Sequence, residues 1–142
     1  MTATSVTSAS LDPVSLLVCL DRNARTAEAI HEAGYFAVNI LRDSQRDVCR
    51  RFARPGGDHF EGLAVDEGPA GVPLLPGCLA HVVCRLSDVL AAGDHDIFLG
   101  VPEHIAINPE GRPLVCYLGG LQALTGAPER RRDSPSSRSS DA

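Results

Sequence analysis

Two residue types are missing from the 142-residue chain, which contains no tryptophan and no lysine. All 13 basic residues are arginine, so no lysine side chain can form a Schiff base or act as a general base. Aromatic residues make up only 4%, so the core must consist mainly of Val, Leu, Ile and Ala. The net charge of −5 argues against nucleic acid as the main partner, because phosphate binding needs a basic face.

Several sequence motifs of common enzyme classes are also missing. The first predicted strand is not followed by GxGxxG, and GxxxxGK[ST] does not occur, which disfavours a Rossmann nucleotide site and an NTPase. The GxSxG nucleophile elbow is missing as well. The five histidines lack a zinc-like spacing to cysteine, so we expect no metal site.

The cysteines and the hydrophobic runs indicate where the protein resides. Its five cysteines are widely spaced and form no CxxC, which is typical of reduced, buried thiols, although a reactive thiol or a disulfide stays open. No signal peptide is visible, and no run approaches the roughly 20 apolar residues of a spanning helix. We therefore expect a cytoplasmic protein that does not bind a membrane.

The hydrophobic pattern predicts a mainly β protein with short helices. Helices are expected over residues 25–33 and 44–53, the second opened by a capping box at Ser44. The late strands lie too close together in sequence for helical crossovers, so antiparallel pairing in a small barrel is favoured. The predicted strands cover residues 15–20, 35–41, 79–90, 96–107 and 114–118. We assign residues 1–127 to one domain and residues 128–142 to a low-complexity, disordered tail.

Four segments have residue types that suit ligand binding, although each also has an ordinary structural explanation. Small hydroxyl residues over 2–10 can lie against a planar ligand, or they can form a disordered terminus. Residues 21–26 (DRNART) suit a phosphate at a helix start, or form a solvated cap. His95 follows a tight turn, where it is either a ligand contact or a turn histidine, and the glycines of 117–120 (YLGG) permit close approach of a ligand.

Taken in order, the segments MTATSVTSASLDP, LVCLDRNART, GYFAVNIL, RRFA, GDH and PLVCYLGG resemble the flavin reductase family. The resemblance covers residues 1 to about 121 and implies an antiparallel split β-barrel of the Greek key, FMN-binding type. It also implies an NAD(P)H:flavin oxidoreductase. Such an enzyme transfers hydride from NADH or NADPH to noncovalently bound FMN or FAD and supplies reduced flavin to a flavin-dependent monooxygenase. The family further implies a homodimer, with flavin sites near the subunit interface.

The same resemblance assigns roles to individual residues. His95 corresponds to the position near the nicotinamide, where it would orient the dinucleotide or handle a proton, and it is the expected catalytic residue. The expected cofactor-binding residues are Thr2, Ala3, Thr4, Ser5, Val6, Ser8, Cys19, Leu20, Asp21, Arg25, Thr26, Arg51, Phe52, Tyr117, Gly119 and Gly120.

Two departures from the family pattern motivate an alternative function. Leu121-Gln122 stands where family members usually have an aromatic residue and an arginine. The chain also begins inside a motif that family members precede with about one β-hairpin, so we expect an N-terminally truncated barrel. The alternative is a non-catalytic or defective flavin-binding split-barrel protein, and a purely structural module is the third possibility.

Overall fold

The computed structural model describes residues 1–124, which form nine β-strands and two α-helices. The predicted tail at 128–142 and the last three residues of the predicted domain lie outside the described residues. The helices are α1 (Arg25–Ala33) and α2 (Arg46–Ala53). The strands are β1 (Val6–Leu11), β2 (Val14–Asp21), β3 (Tyr35–Ile40), β4 (Asp66–Glu67), β5 (Pro73–Leu74), β6 (Ala80–Ala92), β7 (His95–Ile107), β8 (Leu114–Tyr117) and β9 (Gly120–Ala123).

The main sheet has five strands in the order β1-β2-β7-β6-β3, and every pairing within it is antiparallel. The two 13-residue strands β6 and β7 form its centre and are joined by the predicted Gly93-Asp94 turn. Two small hairpins, β4-β5 and β8-β9, complete the structure. The expected mainly β, antiparallel architecture with short helices is therefore confirmed.

The first helix covers one face of the main sheet. It occupies the predicted residues 25–33 and ends at Gly34, whose φ of 68° is the left-handed conformation that glycine adopts without strain. Its buried residues Ala27 and Ile30 pack against Val18, Leu20 and Phe98 and their neighbours in the larger core. Alternate residues of β2 and β7 point to the opposite face, as the two-residue period of a strand requires.

The second helix begins slightly later than predicted. A single 3-10 turn (Asp43–Gln45) precedes it, and the Gln45 side chain, rather than Ser44, accepts the hydrogen bond from the Arg42 backbone N–H at 2.9 Å. In a capping box the residue at the third helical position reaches back to the N-cap N–H, and Gln45 holds that position behind Arg42, so the box begins two residues before the predicted Ser44. The inward positions Cys49 and Phe52 are buried as expected, and Phe52 packs in the smaller core with Leu75 and Cys78.

All five cysteines are free thiols, and their surroundings differ. Cys49, Cys78 and Cys84 are buried, Cys19 is half-buried and Cys116 is exposed. Burial raises the pKa of the Cys84 thiol to about 11, so it stays protonated and inert at neutral pH. In residues 1–124, neither helix is long or apolar enough to cross a membrane.

Candidate active site

The N-terminal segment is held between the end of β2 and the last turn of α2. The Thr2 backbone N–H donates to the Phe52 carbonyl at 3.0 Å, and the Thr2 hydroxyl donates to the Cys49 carbonyl at 2.7 Å. The Ser5 hydroxyl donates to the Cys19 carbonyl at 2.7 Å. The segment is therefore ordered by tertiary contacts, which rules out the disordered terminus that its composition also allowed.

These contacts leave donors available on the exposed part of the segment. Ala3 and Thr4 are exposed, and within residues 1–124 their backbone N–H groups have no hydrogen-bond partner. Val6 is half-buried and packs on the larger core, while Ser8 is exposed on β1. Free N–H groups on an exposed, anchored segment fit the carbonyl-rich pyrimidine edge of a flavin, which accepts hydrogen bonds.

The start of α1 fits a phosphate. Its N-cap is Ala24, whose side chain cannot accept a hydrogen bond, so the first N–H groups of the helix at Arg25 and Thr26 have no partner within residues 1–124. Unsatisfied N–H groups and the positive end of the helix dipole favour an anion. Arg25 adds a positive charge, and its guanidinium donates to the Gly57 carbonyl at 2.6 Å. Arg25 and Thr26, which the family resemblance implies as cofactor-binding residues, therefore lie together at one helix terminus.

The predicted catalytic histidine lies beside the end of β2. His95 is the first residue of β7 and pairs directly with Asp21, the last residue of β2. Its Nδ1 lies 2.8 Å from Oδ1 of Asp94, and its side chain is 45% exposed, so Nε2 is available to a ligand. The hydrogen bond from His95 lowers the pKa of the Asp94 carboxyl below its usual value, which keeps a negative charge beside the imidazole at neutral pH.

Two of the predicted site residues have side chains that point into the protein. Leu20 is 2% exposed in the larger core, and Phe52 is 7% exposed in the smaller one. Either residue can therefore meet a ligand only through its backbone. Cys19 and Asp21 alternate with Leu20 and point to the opposite face of the sheet, the face that also holds His95.

Three predicted residues lie on the β8-β9 hairpin (Tyr117, Gly119 and Gly120), and Arg51 lies on α2. Tyr117 is 60% exposed, and Gly119 has a φ of 74° in the turn between the two strands. The Arg46 side chain donates to the Leu121 carbonyl at 2.5 Å, which ties the hairpin, including Gly120, to the first turn of α2. Thr2 contacts α2 at Cys49 and Phe52, which lie three and six residues after Arg46, or about 4.5 and 9 Å along the helix axis.

One contact near the site could not be predicted from the sequence motifs. The Arg22 guanidinium donates twice to Asp96 Oδ1, at 3.0 and 3.2 Å, and the Arg22 backbone N–H donates to the Asp94 carbonyl at 3.1 Å. Asp96 is 8% exposed and therefore needs this partner. The pair fixes the β2-α1 turn to the β6-β7 turn, and it thereby sets the position of Arg25 relative to His95.

Comparisons with known proteins find flavin reductases among the relatives of this chain. A probable flavin reductase of Rhizobium meliloti is 43% identical over 99 residues, which are 70% of this chain and 32% of that protein. The reductase subunit HsaB of a flavin-dependent monooxygenase from Rhodococcus jostii is 37% identical over 127 residues, which are 87% of this chain and 65% of that protein. The chain thus spans about a third and about two thirds of the lengths of these two relatives.

A solved structure gives the same result for the fold. The NADH:FAD oxidoreductase SgcE6 of Streptomyces globisporus, in complex with NAD and FAD fragments, superposes with a TM-score of 0.82 at 32% identity. The match covers 91% of this chain and 78% of that one. The expected split-barrel fold is therefore confirmed. Residues 1–125 match the flavin reductase like domain, and the chain belongs to that family.

Proposed function

We propose that this protein is a flavin reductase that transfers hydride from NADH or NADPH to noncovalently bound FMN or FAD. The observation that carries the proposal is the anchoring of residues 2–5 between β2 and α2, next to the start of α1. This arrangement puts free backbone donors, a helix N-terminus with Arg25, and His95 around one end of the main sheet. A bound flavin would supply the hydride-accepting ring, and the protein would align the two partners.

Each group of residues would bind a different part of the flavin or of the nicotinamide. The backbone N–H groups of Ala3 and Thr4 would hold the pyrimidine edge, while Arg25 and Thr26 would bind the phosphate. His95 would orient the nicotinamide or hold a proton beside it, through the Nε2 that its contact with Asp94 leaves available. Tyr117 and the following glycines would border the nicotinamide site. Direct hydride transfer needs no nucleophile, which agrees with the absence of a nucleophile motif from the sequence.

The first test is turnover with both donors and both flavins. Purified protein with NADH or NADPH and excess FMN or FAD is expected to lose the absorbance of the nicotinamide band, at a rate proportional to protein concentration. Omission of flavin is the control. Tight flavin binding without loss of this band would instead support the non-catalytic flavin-binding protein.

We further propose that the reduced flavin is passed to a partner monooxygenase and that the protein works in the cytoplasm. The relationship to a monooxygenase reductase subunit supports the first statement, and free thiols, which persist in reducing compartments, support the second. Coupled oxygenation by a flavin-dependent monooxygenase that receives only NADH, flavin and this protein would test the transfer.

We also propose a homodimer that uses the sheet face opposite α1. Leu17, Cys19, Ile97 and Leu99 alternate with the buried core residues on β2 and β7 and are only half-buried, and Leu90 beside them is 48% exposed. A partly exposed apolar strip of this kind supports the proposal of an interface on this face. His95 lies on the same face, so a second copy would cover this strip close to the site.

A charge on this strip should separate the subunits. Wild-type protein is expected to have twice the 15.0 kDa mass of one chain in solution, and Leu99→Arg should shift it to the mass of one chain. The control is Leu11→Arg, because Leu11 is 85% exposed at the β1-β2 turn and lies outside the strip. Light scattering after gel filtration gives both masses, and a wild-type monomer with flavin bound would contradict the dimer.

A further inference from the structure

An open cleft of about 620 Å³ lies at the end of α2, beyond the residues assigned above to the phosphate. Its volume is in the range of small-molecule sites. One side of the cleft is lined by Arg50 and Arg51 of α2 and by Arg54, the residue that follows the helix. The loop at 55–59 lines the other side. The lining residues are Asp47, Arg50, Arg51, Arg54, Pro55, Gly56, Gly57, Asp58 and His59.

The cleft is positively charged although the whole chain has a net charge of −5. Arg50 is paired with Asp47 at 3.1 Å, but this pair is exposed and weak. The Arg51 guanidinium donates to the Glu61 backbone carbonyl, and within the described residues it forms no ion pair with a carboxylate. Within residues 1–124 the Arg54 side chain has no hydrogen-bond partner. The charges of Arg51 and Arg54 therefore face one further carboxylate in the lining, Asp58, and a net positive charge is available to an anion.

The cleft is continuous with the phosphate-binding end of α1. The Arg25 guanidinium reaches across to the Gly57 carbonyl in the cleft wall, and Thr2 is bound to the last turn of α2. Gly56 and Gly57 have φ values of 73° and 75°, and the space on the side where their Cβ atoms would lie is open. A ligand whose first phosphate lies at Arg25 therefore has an open, positively charged path toward Arg54.

We infer that this cleft binds the second phosphate and the adenosine of FAD, so that this protein prefers FAD to FMN. The inference rests on the proposed function, because it places the flavin phosphate at Arg25. FMN ends at its single phosphate and leaves the cleft empty, whereas FAD has the additional phosphate and an adenine. Guanidinium groups bind phosphate oxygens in a bidentate geometry and stack on aromatic planes, so Arg50, Arg51 and Arg54 suit both parts.

The test compares the equilibrium binding of FMN and FAD without any nicotinamide, followed by the quenching of flavin fluorescence. Wild-type protein is expected to bind FAD about tenfold more tightly than FMN, as one charged hydrogen bond or more would give. The double variant Arg50→Ala/Arg54→Ala should lose this preference and keep its affinity for FMN within about twofold. Arg85→Ala removes one positive charge, from an arginine that pairs with Glu103 on the sheet, and it should retain the preference.

Each outcome has a separate meaning. Equal wild-type affinities for FMN and FAD would overturn this inference and leave the reductase function intact, whereas binding of neither flavin would contradict the proposed function itself. A variant that loses NADPH turnover but keeps its FAD affinity would also overturn the inference and assign the cleft to the 2′-phosphate of the dinucleotide. The ratio of the wild-type affinities for FAD and FMN tests the inference without any variant, so the test remains decisive even if the double variant misfolds.

Discussion

Replacement of Gly100 by alanine is expected to reduce the free energy of unfolding by about 3 kcal/mol, the upper part of the range for overpacked cores. Gly100 is buried in β7, and an added Cβ would lie 2.6 Å from the Phe36 ring and 2.7 Å from the Cys84 Cβ. The Phe36 ring is buried, and the Cys84 Cβ is attached directly to the backbone, so neither can move without a shift of a strand. Urea denaturation followed by circular dichroism measures the loss.

Gly120 provides the matched control for this substitution. It lies at the start of β9, where an added Cβ would be 3.5 Å from the Tyr117 carbonyl, an ordinary contact distance. Gly120→Ala should therefore change the free energy of unfolding by less than about 1 kcal/mol. If both alanine variants unfolded at the wild-type urea concentration, the close packing of β7 against β3 and β6 would be wrong.

Removal of the His95 imidazole is expected to lower the rate of flavin reduction about 100-fold, the lower end of what a positioned acid–base group contributes. His95 pairs with Asp21 through the strand backbone, which the substitution leaves in place, so the dissociation constant of His95→Ala for flavin should stay within about twofold of wild type. Stopped-flow reduction of bound flavin by NADH separates these two quantities.

Two further variants sharpen this experiment. His104→Ala removes another exposed histidine of the same strand and should leave the rate unchanged. Asp94→Asn keeps the size of the side chain but removes the negative charge that lies 2.8 Å from His95 Nδ1. If this charge orients the imidazole, Asp94→Asn should lower the rate less than His95→Ala does. An unchanged rate in His95→Ala would remove this residue from the site.

The sequence predicted most of the secondary structure because its local signals agree with the final packing. The helix at 25–33 has apolar residues at helical spacing and a terminal glycine, and both strands of the long hairpin flank an obvious Gly-Asp turn. The β9 strand was missed because four residues that include a glycine, a glutamine and an alanine give no strand signal. That strand exists because it pairs with β8.

The orientation of the site residues was harder to predict. The run Leu16-Leu17-Val18-Cys19-Leu20 is apolar throughout, so it does not reveal which alternate residues face the core. Leu20 was therefore grouped with Cys19, although the structure points them to opposite faces. The cleft was not predicted, because the contact of Arg25 with Gly57 joins residues 32 positions apart that share no local pattern.

The strand order of the main sheet also has a consequence for synthesis of the protein. Arg22 and Asp96 are joined by an ion pair but lie 74 residues apart, and β2 pairs with β7 over the same interval. Ribosomes add about 5–20 residues per second, so β2 waits about 4–15 s for its neighbour to be made. During this interval only β1 can pair with β2, and its apolar residues are open to chaperones or to another nascent chain. Rare codons between β2 and β7 would lengthen this exposure and lower the yield of folded protein.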